Sequence, residues 1–293
     1  MTIGMRAFQW AFSTYSQALP TLAAGTATRL MTKPRVPDQL RKRSVVAGED
    51  VVALAGGGYL SVRPGGARNA LLVHGWSSGA GMFEGVAQAL SQRGYTLYSV
   101  HPAGHGPSTE PSSHPGRFIE AIEAALAYID GPVDLAVGHS MGAGTLAYVV
   151  AGTERIHRLA LVSGPATFEG LLRRFARLMR MSSRAEQRFL SQMERTVGLP
   201  LSALDITERA KLIHVPTLVI HDRNDREVPF ECAGRLAQSL SRSEVFPTDG
   251  LGHNRILRDA EVVLRIAEFA DGSSIDEPSA GQDPEGRYAT ASS

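Results

Sequence analysis

Along most of this chain, short continuous apolar runs alternate with longer stretches whose apolar positions recur every three or four residues. NALLVHG from Asn69, YTLYSV from Tyr95, VDLAVG from Val133, RLALVSG from Arg158, PTLVIH from Pro216 and SEVFP from Ser243 are the short runs. Their length and branched side chains predict strands buried on both faces. The stretches between them predict helices: MFEGVAQALSQRG, closed by Gly94; FIEAIEAALAYI; SMGAGTLAYVVAG; a segment near FECAGRLAQSL; and ILRDAEVVLRIAEFA. Strand followed by amphipathic helix, repeated, defines an α/β fold: a mostly parallel, doubly wound sheet with catalytic groups expected at the carboxyl ends of its strands. Ahead of this rhythm, VVAGEDVVALA and YLSVR flank Gly56-Gly57-Gly58. They predict two antiparallel strands at one edge.

Two regions depart from the rhythm. Between Pro165 and Val215 about fifty residues replace a short crossover. LLRRFARLMRMSSRAEQRFLSQMERTVG lies inside, and predicts one or two helices forming a small cap over the site. Residues 6–24 are apolar but interrupted by Gln9, Ser13, Thr14, Ser16 and Gln17. That pattern fits an amphipathic helix packed on the body better than a membrane span or a signal segment. The expected organisation is a helical extension over 1–44, an α/β domain over 45–270 with a cap at about 165–214, and a disordered tail over 271–293, rich in Ser, Pro, Gly and acidic residues.

Composition narrows the function classes. The 293 residues are 43% hydrophobic and 20% charged, with formal net charge +1. A near-neutral chain has no global field to draw it to nucleic acid, so no nucleic-acid partner is expected. Membrane contact is open but not favoured. Cys232 is the single cysteine, which excludes an intramolecular disulfide and fits a reducing, cytoplasmic setting. The histidines lack paired metal-ligand spacing, and the glycine-rich stretches lack a phosphate-loop lysine. No cofactor is expected.

The strongest local chemistry is Gly138-His139-Ser140-Met141-Gly142, between the apolar strand and an Ala/Gly-rich helix. A nucleophile needs a tight strand-to-helix turn that exposes its hydroxyl, and the glycines allow that close packing. Because a serine hydroxyl is weak alone, it needs a base. His253, in the glycine-flanked loop Gly250-Leu251-Gly252-His253-Asn254, lies between the last strand and last helix and is the favoured base over His139. The base in turn needs a carboxylate. Asp225, three residues past a strand end, is favoured over Asp222, whose placement suits a loop-bracing turn aspartate. The Met141 amide at a helix start and the Trp76 amide after His74-Gly75 are the expected oxyanion donors. The Trp76 indole either lines an acyl pocket or packs in the core.

These motifs together resemble the α/β-hydrolase superfamily, in particular its Ser-nucleophile bacterial esterase and lysophospholipase-like branch. The resemblance rests on His74-Gly75-Trp76, the segment His101-Pro102-Ala103-Gly104-His105-Gly106-Pro107-Ser108, the Ser140 motif, the Asp225 loop and Gly252-His253. It spans roughly residues 45–270 and implies an α/β-hydrolase fold cleaving small-molecule carboxylic esters. Family members usually carry Asp where this chain has His101, a position with a structural role. A serine at 140 sets the chain apart from dehalogenases and epoxide hydrolases of this fold, which use aspartate. The alternatives are a lysophospholipase or monoacylglycerol lipase working near a lipid surface, and a non-catalytic ligand receptor on the same scaffold. Arg173, Arg177, Arg180, Arg184 and Arg188 would form a stripe on one helix. It reads as a solvated face, with Leu171, Leu172, Phe175, Leu178, Met179 and Met181 opposite; attraction of anionic lipid is the other reading. Oligomeric state is not readable from the chain.

Overall fold

A computed structural model describes residues 3–36, 45 and 48–272. The chain opens with two helices, α1 (Ile3–Ala18) and α2 (Pro20–Thr32). Strands β1 (Asp50–Ala53), β2 (Tyr59–Arg63) and β3 (Arg68–Val73) follow, then α3 (Glu84–Ser91), β4 (Tyr95–His101), α4 (Pro115–Tyr128) and β5 (Leu135–His139). Next come α5 (Met141–Val150), β6 (Leu159–Val162), α6 (Phe168–Leu178), α7 (Ser183–Val197) and α8 (Ile206–Ala210). The chain continues through β7 (Thr217–Asp222), α9 (Glu231–Ser239), β8 (Ser243–Thr248), the short α10 (Gly252–Arg255) and α11 (Ala260–Ala270).

The strands form one sheet in the order β1-β2-β4-β3-β5-β6-β7-β8. β1–β2 and β2–β4 pair antiparallel; every other neighbour is parallel. Alternation of side chains along each strand divides the core. Leu71, Val73, Ala136, Leu161 and Val219 face α4, α5 and the cap. Ala70, Leu72, Leu135, Val137, Leu218 and Ile220 face α3 and α11. Both sides of the inner parallel strands β3, β5, β6 and β7 are therefore buried, which is why their sequences run apolar without a polar period, while β8 at the edge is only half-buried.

Two local expectations are corrected, and a third, open between one helix and two, is decided. The first edge strand starts at Asp50 rather than Val45, with Gly48 at φ 91° just before it; Val46 and Ala47 lie outside the described residues. The 6–24 segment is two helices rather than one. Pro20 lacks an N–H and its ring crowds the preceding turn, so α1 stops and α2 begins with proline in its first turn. The arginine-rich segment also splits, between α6 and α7. Arg180 sits at φ 52°, and the Ser182 hydroxyl caps α7 by accepting the Ala185 N–H. The five arginines are thus divided, with Arg173 and Arg177 on α6, Arg184 and Arg188 on α7 and Arg180 between the two helices. Leu178, expected on the apolar side, is exposed, while Leu172 and Met179 are buried. The tail beyond residue 272 lies outside the described residues.

The α1–α2 pair packs on the cap rather than on the sheet. Ser182 N–H donates to the Ser16 hydroxyl at 2.9 Å and its own hydroxyl donates to the Ser16 carbonyl at 2.7 Å. Gln9 donates to the Leu178 carbonyl at 2.7 Å, and Ala23, Ala24 and Ala27 are fully buried. From α2 the chain reaches the sheet edge, where the Arg35 N–H donates to the Ser77 hydroxyl at 2.9 Å.

Candidate active site

Ser140 occupies the junction of β5 and α5 with φ 55° and ψ −121°. An L-residue holds that left-handed conformation at a cost of order 1–3 kcal/mol. Close packing enforces it. A Cβ at Gly142 would lie 2.2 Å from the Val73 carbonyl oxygen, and one at Gly138 would lie 2.6 Å from the Ala143 Cα. Only glycine at both positions lets α5 start against the strands, which explains the spacing of the motif. The Ser140 N–H is held by the Val162 carbonyl at 2.9 Å. Its side chain is thereby thrust out of the turn.

His253, on α10 beyond β8, meets that hydroxyl. Its Nε2 lies 2.9 Å from Ser140 Oγ and its Nδ1 lies 2.7 Å from Asp225 Oδ2. A carboxylate only accepts, so Nδ1 carries the proton and Nε2 accepts from the serine hydroxyl. Both His253 and Asp225 are buried. Burial by itself would raise the Asp225 pKa, but hydrogen bonds from His221 and His253, the charge on His253 and the Val228 N–H outweigh it. The carboxyl is held well below the usual range and stays ionised. Its other oxygen, Oδ1, accepts the Glu227 and Val228 N–H groups at 2.8 and 2.9 Å. The loop thus clamps one oxygen and leaves the other for the imidazole.

Asp222, the competing carboxylate, points elsewhere. Its Oδ1 accepts from Asn224 N–H at 2.9 Å, and its Oδ2 from the Thr248 hydroxyl at 2.8 Å and Leu251 N–H at 2.9 Å. It ties the β7 loop to the loop that carries His253. Burial pushes its pKa up, and these bonds with that of Gly252 N–H pull it below the ordinary value.

His139 lies beside His253, with ring centroids 4.9 Å apart, but does not bond the serine hydroxyl. Its Nε2–H donates to the His253 carbonyl at 2.8 Å, and its buried Nδ1 has no partner. Burial and the neighbouring His253 charge lower its pKa to about 3. A neutral ring bound by its Nε2 to the His253 carbonyl holds that residue's backbone in place.

The two expected oxyanion donors meet at the same turn. Gly75 approaches so closely that a Cβ there would lie 2.9 Å from the Ser140 Cβ. Among the described residues neither the Trp76 nor the Met141 amide has a hydrogen-bond partner. Met141 opens α5, so its N–H is one of the helix's free donors. The Trp76 indole is half-buried and packs edge-on against His105, with centroids 5.4 Å apart. Behind it, buried His74 and His101 are pushed by burial to pKa values of about 4 and about 3. His101 shares a 2.9 Å hydrogen bond with the Ser61 hydroxyl, a structural contact far from the serine.

Two neighbours of the site escape sequence reasoning. His221, fully buried at the end of β7, donates from Nε2 to the Val228 carbonyl at 3.0 Å and sits 3.5 Å from Asp225 Oδ2. A histidine closing an otherwise apolar strand was its only signal. Glu227, exposed, places Oε2 3.8 Å from His253 Nε2 and accepts from Asn254 at 2.9 Å. An open cavity of about 600 Å³ lined by Glu227, Asn254, Arg226 and Arg255 borders His253 but not Ser140.

Comparison with known proteins agrees with this architecture. Residues 71–211 match the family model described as alpha/beta hydrolase fold. The chain has the α/β-hydrolase fold, and that segment, from within β3 to the end of α8, belongs to the α/β-hydrolase superfamily. It is similar to an AB hydrolase superfamily protein, YisY, of Bacillus subtilis, at 24% identity over 71% of this chain and 93% of the relative. A pimeloyl-[acyl-carrier protein] methyl ester esterase of Nitrosomonas europaea is 25% identical over 62% of this chain and 87% of its own. The esterase Pf2001 of Pyrococcus furiosus superposes with a TM-score of 0.60 at 19% identity, covering 76% of this chain and 91% of that one. At that identity the structural likeness concerns the fold alone. No described helix is long and apolar enough to cross a membrane.

Proposed function

We propose that this chain is a serine hydrolase that cleaves carboxylic esters through an acyl-enzyme on Ser140. The observation that carries the reading is the unbroken chain Asp225–His253–Ser140, at 2.7 and 2.9 Å, opening toward two unpartnered amides. Ser140 Oγ attacks the ester carbonyl carbon while His253 Nε2 takes its proton. Asp225 steadies the imidazolium through Nδ1–H and remains ionised. The carbonyl oxygen, now negative, is received by the Trp76 and Met141 N–H groups, each worth about 3 kcal/mol to such a transition state. His253 returns the proton to the leaving alcohol. Water, deprotonated by the same base, then releases the acid and restores Ser140.

The methyl ester esterase among the relatives supports ester chemistry over the other reactions this scaffold hosts. The lone, half-buried Cys232 supports a cytoplasmic setting. The test is hydrolysis of a panel of short activated esters by the wild type and by Ser140→Ala. The expected result is turnover by the wild type and a loss of roughly 10⁴-fold or more in kcat for the variant, with the melting temperature preserved. Undiminished turnover by Ser140→Ala overturns the reading. A wild type inert on every ester and lactone leaves the ligand-receptor alternative in its place.

A further inference from the structure

The α1–α2 pair has a solvent face that water does not explain. In α1 the inward stripe is Gln9, Phe12 and Ser16, all buried against the cap. At 100° per residue the opposite stripe is Ala7, Ala11, Thr14 and Ala18, all exposed and, except for Thr14, apolar, with Phe8 on one flank and Trp10 on the other. Trp10 is 70% exposed, Leu22 59%, Leu19 50% and Phe8 47%. A helix apolar on its outer face needs a further apolar surface.

Charge around this face has one sign. Residues 3–36 hold Arg6, Arg29, Lys33 and Arg35 and not one carboxylate; residues 168–197 add seven arginines against three glutamates. The whole chain has a net charge of only +1, so the cations are concentrated here. All three glutamates are engaged: Arg173 pairs with Glu169 and Glu186, and Glu194 accepts the Leu201 N–H. Arg177, Arg180 and Arg184 are exposed, and among the described residues none has a carboxylate partner. They stand on the cap beside the hairpin, where the Leu178 carbonyl meets Gln9, Ser182 meets Ser16 and Arg188 meets Thr21.

We propose that the α1–α2 hairpin and the arginine rim of α6–α7 form a docking surface for an anionic lipid bilayer, with Trp10, Phe8 and Leu22 entering the headgroup layer. Aromatic and leucine side chains at the boundary of an exposed cationic rim match such a surface both in polarity and in sign. A protein partner would need its own acidic, apolar groove. The surface is tied to the candidate active site, because the chain leaving α2 bonds Arg35 N–H to Ser77, the residue after Trp76. Docking would hold the site next to the bilayer. The inference does not depend on the role of Ser140, because binding is read without turnover.

Vesicle flotation with the full chain, in wild-type and Ser140→Ala forms, tests it. Phosphatidylcholine vesicles with and without phosphatidylglycerol are the probes. Both forms are expected to float with the anionic vesicles, weakly with neutral ones, and to be released by high salt. Combined Phe8→Ser, Trp10→Ser and Leu22→Ser should lower the bound fraction about tenfold or more. Combined Arg177→Glu, Arg180→Glu and Arg184→Glu should abolish the preference for anionic lipid. Both variants should keep wild-type melting. No flotation of the wild type, or flotation unchanged in both variants, overturns the proposal. So does vesicle-free self-association that the serine variant disperses, since a second copy would then cover the face.

Discussion

The loops at the carboxyl edge of the sheet and the cap with its helical hairpin are built on opposite rules. At the sheet edge, polar groups are buried and the carboxylates are fully engaged: Asp222 accepts from Asn224, Thr248 and Leu251, and Asp225 from Glu227, Val228 and His253. Backbone strain is held in place there by glycines that no other residue could replace, as at Gly142. On the cap and hairpin, charges point outward and large apolar side chains stand in solvent. The first region fixes atoms to fractions of an ångström, as chemistry requires. The second meets a surface, where composition and sign count for more than position.

The sharpest way to press the comparison lies within the first region. Two aspartates three residues apart have been given different work by their hydrogen bonds. Asp225→Asn should lower kcat by roughly 10⁴-fold with little loss of stability, because an amide cannot hold the imidazole in the working tautomer. Asp222→Asn should instead cost roughly 1–3 kcal/mol of stability, since its NH₂ would face the donors of Thr248 or Asn224. Its kcat should fall far less. Steady-state kinetics and urea melts on both variants check this; equal kinetic losses would erase the distinction.

A smaller effect follows from the neutral histidines buried behind and beside the site. His74, His101 and His139 titrate at about 4, about 3 and about 3 when folded, against 6.5 in the unfolded chain. Below pH 6.5 the unfolded chain takes up protons that the folded one refuses. Their contribution is therefore complete above about pH 6.5 and is lost as pH falls, at up to about 1.4 kcal/mol per pH unit for each. Asp225, with its carboxyl depressed, works in the same direction only below about pH 4. Urea midpoints should drop clearly between about pH 7 and pH 5. An unchanged midpoint would contradict the burial and neutrality of these rings.

Much of the first region was legible in the sequence because its constraints are local. A nucleophile turn demands small residues two before and two after the serine, so Gly138 and Gly142 announce it. Strand ends announce the loops that hold Asp225 and His253. His221 was not legible: its place beside Asp225 depends on how the Asp225 loop folds back over β7, which no spacing in the chain records. The same is true of His139, whose bond to the His253 carbonyl joins residues 114 apart in sequence. The cap was legible as an interruption but not in its shape. Its sequence leaves one helix or two open, and Arg180 at φ 52° with the packing of Ser182 against Ser16 shows where the break falls. The hairpin reads in the sequence as a single helix; Pro20 divides it, and contact with α7 through Thr28 and Gln192 holds its second half.

The central claim, that Ser140 is a nucleophile activated by His253, meets its most direct test in covalent labelling. The intact protein would be treated with a fluorophosphonate, and the modified residue located by mass spectrometry of its peptides. The account predicts one adduct, on Ser140, absent in Ser140→Ala and formed at least about 10²-fold more slowly in His253→Ala. A folded wild type that forms no adduct at Ser140, or labels as fast without His253, would contradict it.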